Sequence, residues 1–291
     1  MASGYIDTGA LADSLPTIRA SARLVREFMG VMVRLSDRTN LAANSGLTWH
    51  EISLSQLTAS SVNESTVLDN PQQLSDSLIS ITPTMVGIHV LVTDRVLRRI
   101  QTIVASKLGS AAQTALQRKK DEDGLAFLDT ATTQLGAAGA TLQSGIIGAA
   151  KSRITSNATE PGMPPIYGVF HGFQIKDIQD ELAAGVGTYP VQGGLTESVF
   201  RNGFSGSVYG VELYEAGNLT IDSSDDAKGA VFAREAVVLV DGMGPKSYTR
   251  ARPEVGGGAN EMFHYDEYAW GERGAGLWMF EIMSDATAPS N

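Results

Sequence analysis

An α+β fold is predicted by two periodic patterns and one contrast in texture. Val86, Ile88, Val90 and Val92 alternate strictly with Gly87, His89, Leu91 and Thr93, the period of a half-buried strand. Directly after them, Val96, Ile100, Ile103, Val104, Leu108, Ala111 and Ala115 line one face of a long helix. Residues 46–85, by contrast, are rich in Ser, Thr, Asn and Gln, and no Lys or Arg falls between 45 and 85. With 291 residues, 43% hydrophobic and 19% charged, the chain has ordinary soluble globular composition and can bury a core.

The segment after Pro16 places Ile18, Ala22, Val25, Met29 and Met32 four and three residues apart, with Arg19, Arg23, Arg26 and Arg34 elsewhere around the wheel. It is expected to be an amphipathic helix with no short loop returning it to a core. In the polar stretch, alternations at Ile52 and Leu54 and at Ile79 and Ile81 predict two extended arms around a polar tip near residues 63–71. Thr93 or Asp94 is the N-cap of the long helix, expected over residues 95–120 and ending in RKKDEDG. At ~1.5 Å per residue it spans ~39 Å. QLGAAGAT reads as a linker, and LQSGIIGAAKSRI as a helix with Leu142, Ile146, Ala149 or Ala150 and Ile154 inward. IYGVF is a short buried strand, FQIKDIQDELAA a helix, and GVGTYPVQGG too rich in Gly for regular structure. SVYGVELYE, the mixed AVFAREAVVLV and GLWMFEIM supply later strands.

The net charge of −10 belongs to residues 171–291, which hold 8 Lys and Arg against 18 Asp and Glu. Residues 95–120 are locally basic, with Arg95, Arg98, Arg99, Lys107, Arg118, Lys119 and Lys120 and no acid. An acidic chain is a poor candidate for tight nucleic-acid binding, since affinity grows with the number of phosphates neutralised. No stretch reaches the 18 or so apolar residues of a membrane span, so no membrane partner is expected. The opening MASGYIDTGALADSLP lacks a basic then apolar pattern, so no secretory signal is expected. Zero cysteines exclude disulfides and thiolate sites.

No chemistry-bearing motif stands out. His50, His89, His171 and His264 lie outside any nucleophile motif. His264, Asp266 and Glu267 lack a defined metal-ligand spacing, and Asp222, Asp225 and Asp226 lack the closing Glu of a calcium loop. GMGPKS lacks the spacing of a phosphate-binding loop. No cofactor or metal is expected, and a metal-dependent enzyme is the weakest of the alternatives.

Geometry points to assembly instead. A 291-residue globule has a radius of gyration of roughly 19 Å, whereas two arms of about twenty residues at ~3.3 Å each reach ~60 Å. Such a ribbon is marginal alone, so Trp49, Ile52, Leu54, Leu78 and Ile81 are expected to need another chain to cover them.

In order and spacing, these segments resemble the major capsid proteins of tailed double-stranded DNA phages, the Hong Kong Ninety-Seven type of coat fold. The resemblance is carried by SISITPTMVGIHVLVTDRVL, PPIYGVFHGFQIKDI, NGFSGSVYGVELYEAGNL and GAVFAREAVVLV. Thr82, Pro83, Gly87, Thr93 and Asp94 look like the family's strand, turn, strand and helix entry, and Gly203, Gly206, Gly210 and Val211 like its small-residue turn into a strand. The resemblance implies an N-terminal arm (1–44), an extended loop (45–85), a peripheral domain (86–130 and 251–291) holding a spine helix, and an axial domain (131–250). It implies homopentamers and homohexamers of an icosahedral shell, scaffolding and portal partners, and a place in the virion capsid after assembly in the host cytoplasm. Arg95, Arg98, Arg99 and Lys107 of the spine helix are expected to face packaged DNA without sequence specificity. Some members crosslink through a Lys of the extended loop, and the absence of Lys there predicts noncovalent contacts. An encapsulin-like compartment shell shares this fold, and a tail or decoration protein is a further alternative.

Overall fold

The computed structural model describes residues 5–6, 30–42, 44–64, 71–99, 102–186 and 206–290, and it has the mixed helix and sheet content expected. Two sheets and a separate hairpin organise it. The first sheet has the order β1-β5-β12-β11-β2, formed by β1 (Tyr5–Ile6), β2 (Asp37–Asn40), β5 (Thr84–Thr93), β11 (Val237–Arg252) and β12 (Ala259–Glu272). The second has the order β6-β13-β10-β7-β9-β8, formed by β6 (Gln134–Gly136), β7 (Ile166–Phe170), β8 (Ser207–Val208), β9 (Val211–Glu215), β10 (Asp226–Ala233) and β13 (Met279–Asp285). The hairpin pairs β3 (Trp49–Leu54) with β4 (Asp76–Ile81). The helices are α1 (Met32–Leu35), α2 (Asp94–Arg99), α3 (Thr102–Leu128), α4 (Ser144–Thr155) and α5 (Gly172–Val186).

β7 is buried throughout because both of its faces are covered, and this is why IYGVF reads as an unbroken apolar run. Ile166 and Phe170 face α4 and α5 with Leu142, Ile147, Ala150, Ile154 and Ile178. Tyr167 and Val169 face the other way, toward Met32, Leu35, Leu125, Leu128 and Phe232. Each fully buried aliphatic side chain stabilises this sandwich by about 1.5–3 kcal/mol. Leu142, Ala150 and Ile154 are buried as expected, whereas at the remaining position Ile147 is fully buried and Ile146 only partly.

Several expectations are corrected. Residues 18–29 of the predicted N-terminal helix lie outside the described residues. Its last part is α1, and Met32 and Leu35 are buried against α3 rather than left without a core. α3 runs through RKKDEDG to Leu128, because the acids there find partners. Asp121 accepts from Met32 N at 2.9 Å and from Asn218 Nδ2 at 2.9 Å, and Tyr268 donates to Asp123 at 2.7 Å. Gly124 lets the helix come close: a Cβ there would sit 2.7 Å from Trp270 Cζ2 and 3.0 Å from Met32 Cβ. Part of the predicted linker is β6, paired in parallel with β13. The predicted irregular loop lies outside the described residues beyond Val186, as does Gly203. β11 pairs along its length with β12, and β13 belongs to the second sheet, between β6 and β10.

Candidate assembly surfaces

The β3–β4 register decides which apolar residues are available. Trp49 pairs with Ile81, Glu51 with Ile79 and Ser53 with Ser77 on one face, while His50 pairs with Ser80, Ile52 with Leu78 and Leu54 with Asp76 on the other. The first face turns toward the trunk and the second toward solvent, where Ile52, Leu54 and Leu78 are all more than 60% exposed. Beyond the strands the arms stay in register, with Ser55 N donating to Ser75 O at 2.8 Å and Thr58 N to Gln72 Oε1 at 2.8 Å. Leu57, Val62 and Leu74 are also exposed. These three were missed because no alternation surrounds them.

Two predicted contact residues belong to the chain's own trunk. Ile81 is buried against Val238 and Val240, with Trp49 and Ile79 packed around them. Its side chain fills the space left by Gly271, where a Cβ would lie 2.1 Å from Ile81 Cδ1. Ile81 is therefore a peg at the root and not a surface for a neighbour. Trp49 is half-buried beneath Arg273, whose guanidinium lies 5.8 Å from its ring centroid. Arg273 Nε also donates to Glu51 Oε2 at 2.7 Å, and its Nη1 to Asp37. Arg273 could have been found in the sequence as the only cation in residues 253–291.

The cations of residues 95–120 divide into two groups. Arg95 and Arg98 are exposed on α2, whereas the side chains of Arg99 and Lys107 lie outside the described residues. At the other end the charge is spent internally. Arg118 and Lys119 pair one turn on with Glu122 and Asp123. Lys120 is buried, 2.9 Å from Asp241 Oδ1 and 2.8 Å from Asp266 Oδ2. Asp241 also takes Arg38 of β2 at 2.6 Å, and the Lys120 ammonium sits 4.6 Å from the Tyr268 ring centroid. This network joins β2, α3, β11 and β12. Burial, with the hydrogen bond to Asp123, pushes the Tyr268 phenol far above its ordinary value.

Among the described residues no group of three or more His, Asp or Glu is placed to hold a metal. Asp266, a candidate in sequence, is occupied by Lys120, and His264 Nδ1 lies 2.8 Å from Ser247 Oγ. No described helix is long and apolar enough to cross a membrane. Burial pushes the Glu272 carboxyl up, partly offset by the hydrogen bond from Gly276 N. A carboxyl raised in the folded state binds its proton better folded than unfolded. Its contribution is therefore full below the ordinary carboxylate range and is lost as pH rises through the folded value. Glu272→Gln, which keeps the acceptor, is expected to melt with the parent near pH ~4 and above it near pH ~7; a variant less stable than the parent at neutral pH contradicts this.

No protein-family model and no curated protein sequence matches the chain. Its fold, however, is similar to that of solved phage capsid structures. The capsid of cyanophage Pam1 matches with a TM-score of 0.70 at 12% identity, covering 99% of this chain and 100% of that chain. The acid-stable capsid of Helicobacter pylori bacteriophage KHP30 matches with a TM-score of 0.69 at 13% identity, over 97% and 99%. The capsid of Ralstonia phage GP4 gives 0.69 at 14% identity, over 95% and 97%. The chain has the tailed-phage capsid fold of the Hong Kong Ninety-Seven type.

Proposed function

We propose that this chain is a structural shell subunit, not a catalyst, that assembles with copies of itself into the icosahedral capsid of a tailed phage. The observation that carries the reading is the hairpin. One face is pegged to the trunk by Ile81, and the other presents Ile52, Leu54 and Leu78 to solvent, uncovered by any of the described residues. A neighbour that covers this strip while offering its own strip onward makes a heterologous contact, and such contacts close into pentamers and hexamers. The capsid fold supports this division of labour. With no Lys or Arg in residues 45–85, the hairpin contacts are noncovalent.

The shell is proposed to enclose double-stranded DNA, with Arg95, Arg98, Arg99 and Lys107 on its inner side. Contact there is weak and indifferent to sequence, because few phosphates are neutralised per subunit and the chain as a whole is acidic. Scaffolding and portal proteins are proposed partners of assembly in the host cytoplasm, and the virion is the destination. Expression of the chain, alone and with a scaffolding protein, followed by negative-stain microscopy, is expected to give closed shells of uniform diameter. On denaturing gels those shells should run as one band. Discrete single subunits under both conditions contradict the assignment, and a ladder of covalent multimers contradicts the noncovalent contact.

A further inference from the structure

We propose that Arg273 is a latch that sets the angle at which the β3–β4 hairpin leaves the trunk and couples that angle to the edge strand β2. This concerns the regulation of the surface assigned above and rests on that assignment. The hairpin meets the trunk in two places. At the root, Ile81 sits over Gly271 against Val238 and Val240, a contact close to the chain connection at Thr82 and Pro83 that serves as a pivot. One row farther out, the only charged contact of the hairpin's inner face among the described residues is the Arg273 fork, reaching Glu51 on β3 and Asp37 at the start of β2 while covering Trp49.

From that row outward the inner face is held off the trunk by open space. A cavity of about 340 Å³ lies between Glu51, Ser53 and Ile79 and the Glu160, Gly274 and Trp278 side. A second, also about 340 Å³, separates Ser55, Gln56 and Ser75 from Thr159 and Glu160. The hairpin thus has room to move inward, and one side chain stands at the fulcrum. That side chain is well fixed: Arg273 N donates to Ala236 O at 2.8 Å, and the guanidinium is only 18% exposed. A partly desolvated guanidinium strengthens its paired contacts and makes the loss of either partner costly. Asp37 belongs to a four-residue strand that, among the described residues, pairs only with β11, so displacement of β2 removes one limb of the fork and leaves Arg273 to Glu51 alone. The position of the segment entering β2 is thereby read out as a hairpin angle.

The chain has no cysteine, so Gln56→Cys on the hairpin and Ser152→Cys on α4 create the only two spin-label sites. In the unassembled subunit, pulsed electron paramagnetic resonance is expected to give one narrow distance distribution. Arg273→Lys keeps the charge without the fork, and Glu51→Gln removes one limb at a position that does not threaten folding. Each is expected to widen the distribution at least about twofold, and Asp37→Asn, which touches no hairpin atom in the fork, to widen it less. An unchanged width in Arg273→Lys and Glu51→Gln overturns the latch, and a response to those two without one to Asp37→Asn overturns its coupling to β2. A wider distribution together with parental shell yield upholds the latch and overturns instead the role of the hairpin in assembly.

Discussion

Lys120→Met is expected to destabilise the subunit by about 3–5 kcal/mol, the cost of leaving buried carboxylates without their counterion. Asp241 keeps Arg38 at 2.6 Å, but Asp266 loses the ammonium at 2.8 Å and is itself only 4% exposed. Thermal denaturation reads the effect as a fall in Tm of several degrees, at about 2–4 °C per kcal/mol for a chain of this size class. The companion variant Lys120→Met, Asp241→Asn, Asp266→Asn removes the uncompensated charge as well, and is expected to recover part of the loss. A single variant as stable as the parent contradicts the network. So does a triple variant less stable than the single one.

The second large effect separates assembly from folding. Ile52→Asp places a carboxylate at the centre of the exposed strip, opposite Leu78. In the isolated subunit the position is solvated, so the melting temperature is expected to stay within the ~0.5 kcal/mol typical of surface changes. In the shell it is covered by a neighbour. Loss of about 1.5–3 kcal/mol of burial, before any cost of burying the charge, raises the concentration needed for assembly by about tenfold to a hundredfold. Leu78→Asp is expected to behave in the same way. Ile81→Asp, three residues along the same strand, should do the opposite and melt the subunit, since its partners Val238 and Val240 are its own. Equal effects of Ile52→Asp and Ile81→Asp on melting temperature contradict the division of the hairpin into a trunk face and a neighbour face.

That division shows what the sequence could and could not reveal. The alternations at Ile52 and Leu54 and at Ile79 and Ile81 were sufficient to find the arms, because each strand declares its own period. They could not say which arm residues share a face, since that depends on pairing Trp49 with Ile81 across a gap of 32 positions. The strand at residues 86–92 and the buried IYGVF were legible for the same local reason. The far end of α3 was not, because the partners that keep RKKDEDG helical, Asp241, Asp266, Asn218 and Tyr268, lie some hundred residues away or more. Asp241 and Asp266 take Lys120, and the helix's own Asp123 takes Lys119, out of what looked like one continuous basic surface. β6 was read as a linker since QLG has no period of its own, and only β13 makes it a strand. Arg273 was visible as a lone cation, but its three contacts come from β2, β3 and the Trp49 ring, which nothing in the linear order brings together.

Sedimentation velocity of the intact chain over a concentration series, beside Ile52→Asp, tests self-assembly through the hairpin most directly. The parent is expected to pass from a slow subunit to a fast closed particle as concentration rises, while the variant stays a folded subunit over the same range. A parent that sediments as one compact subunit at every concentration, indistinguishable from Ile52→Asp, contradicts it.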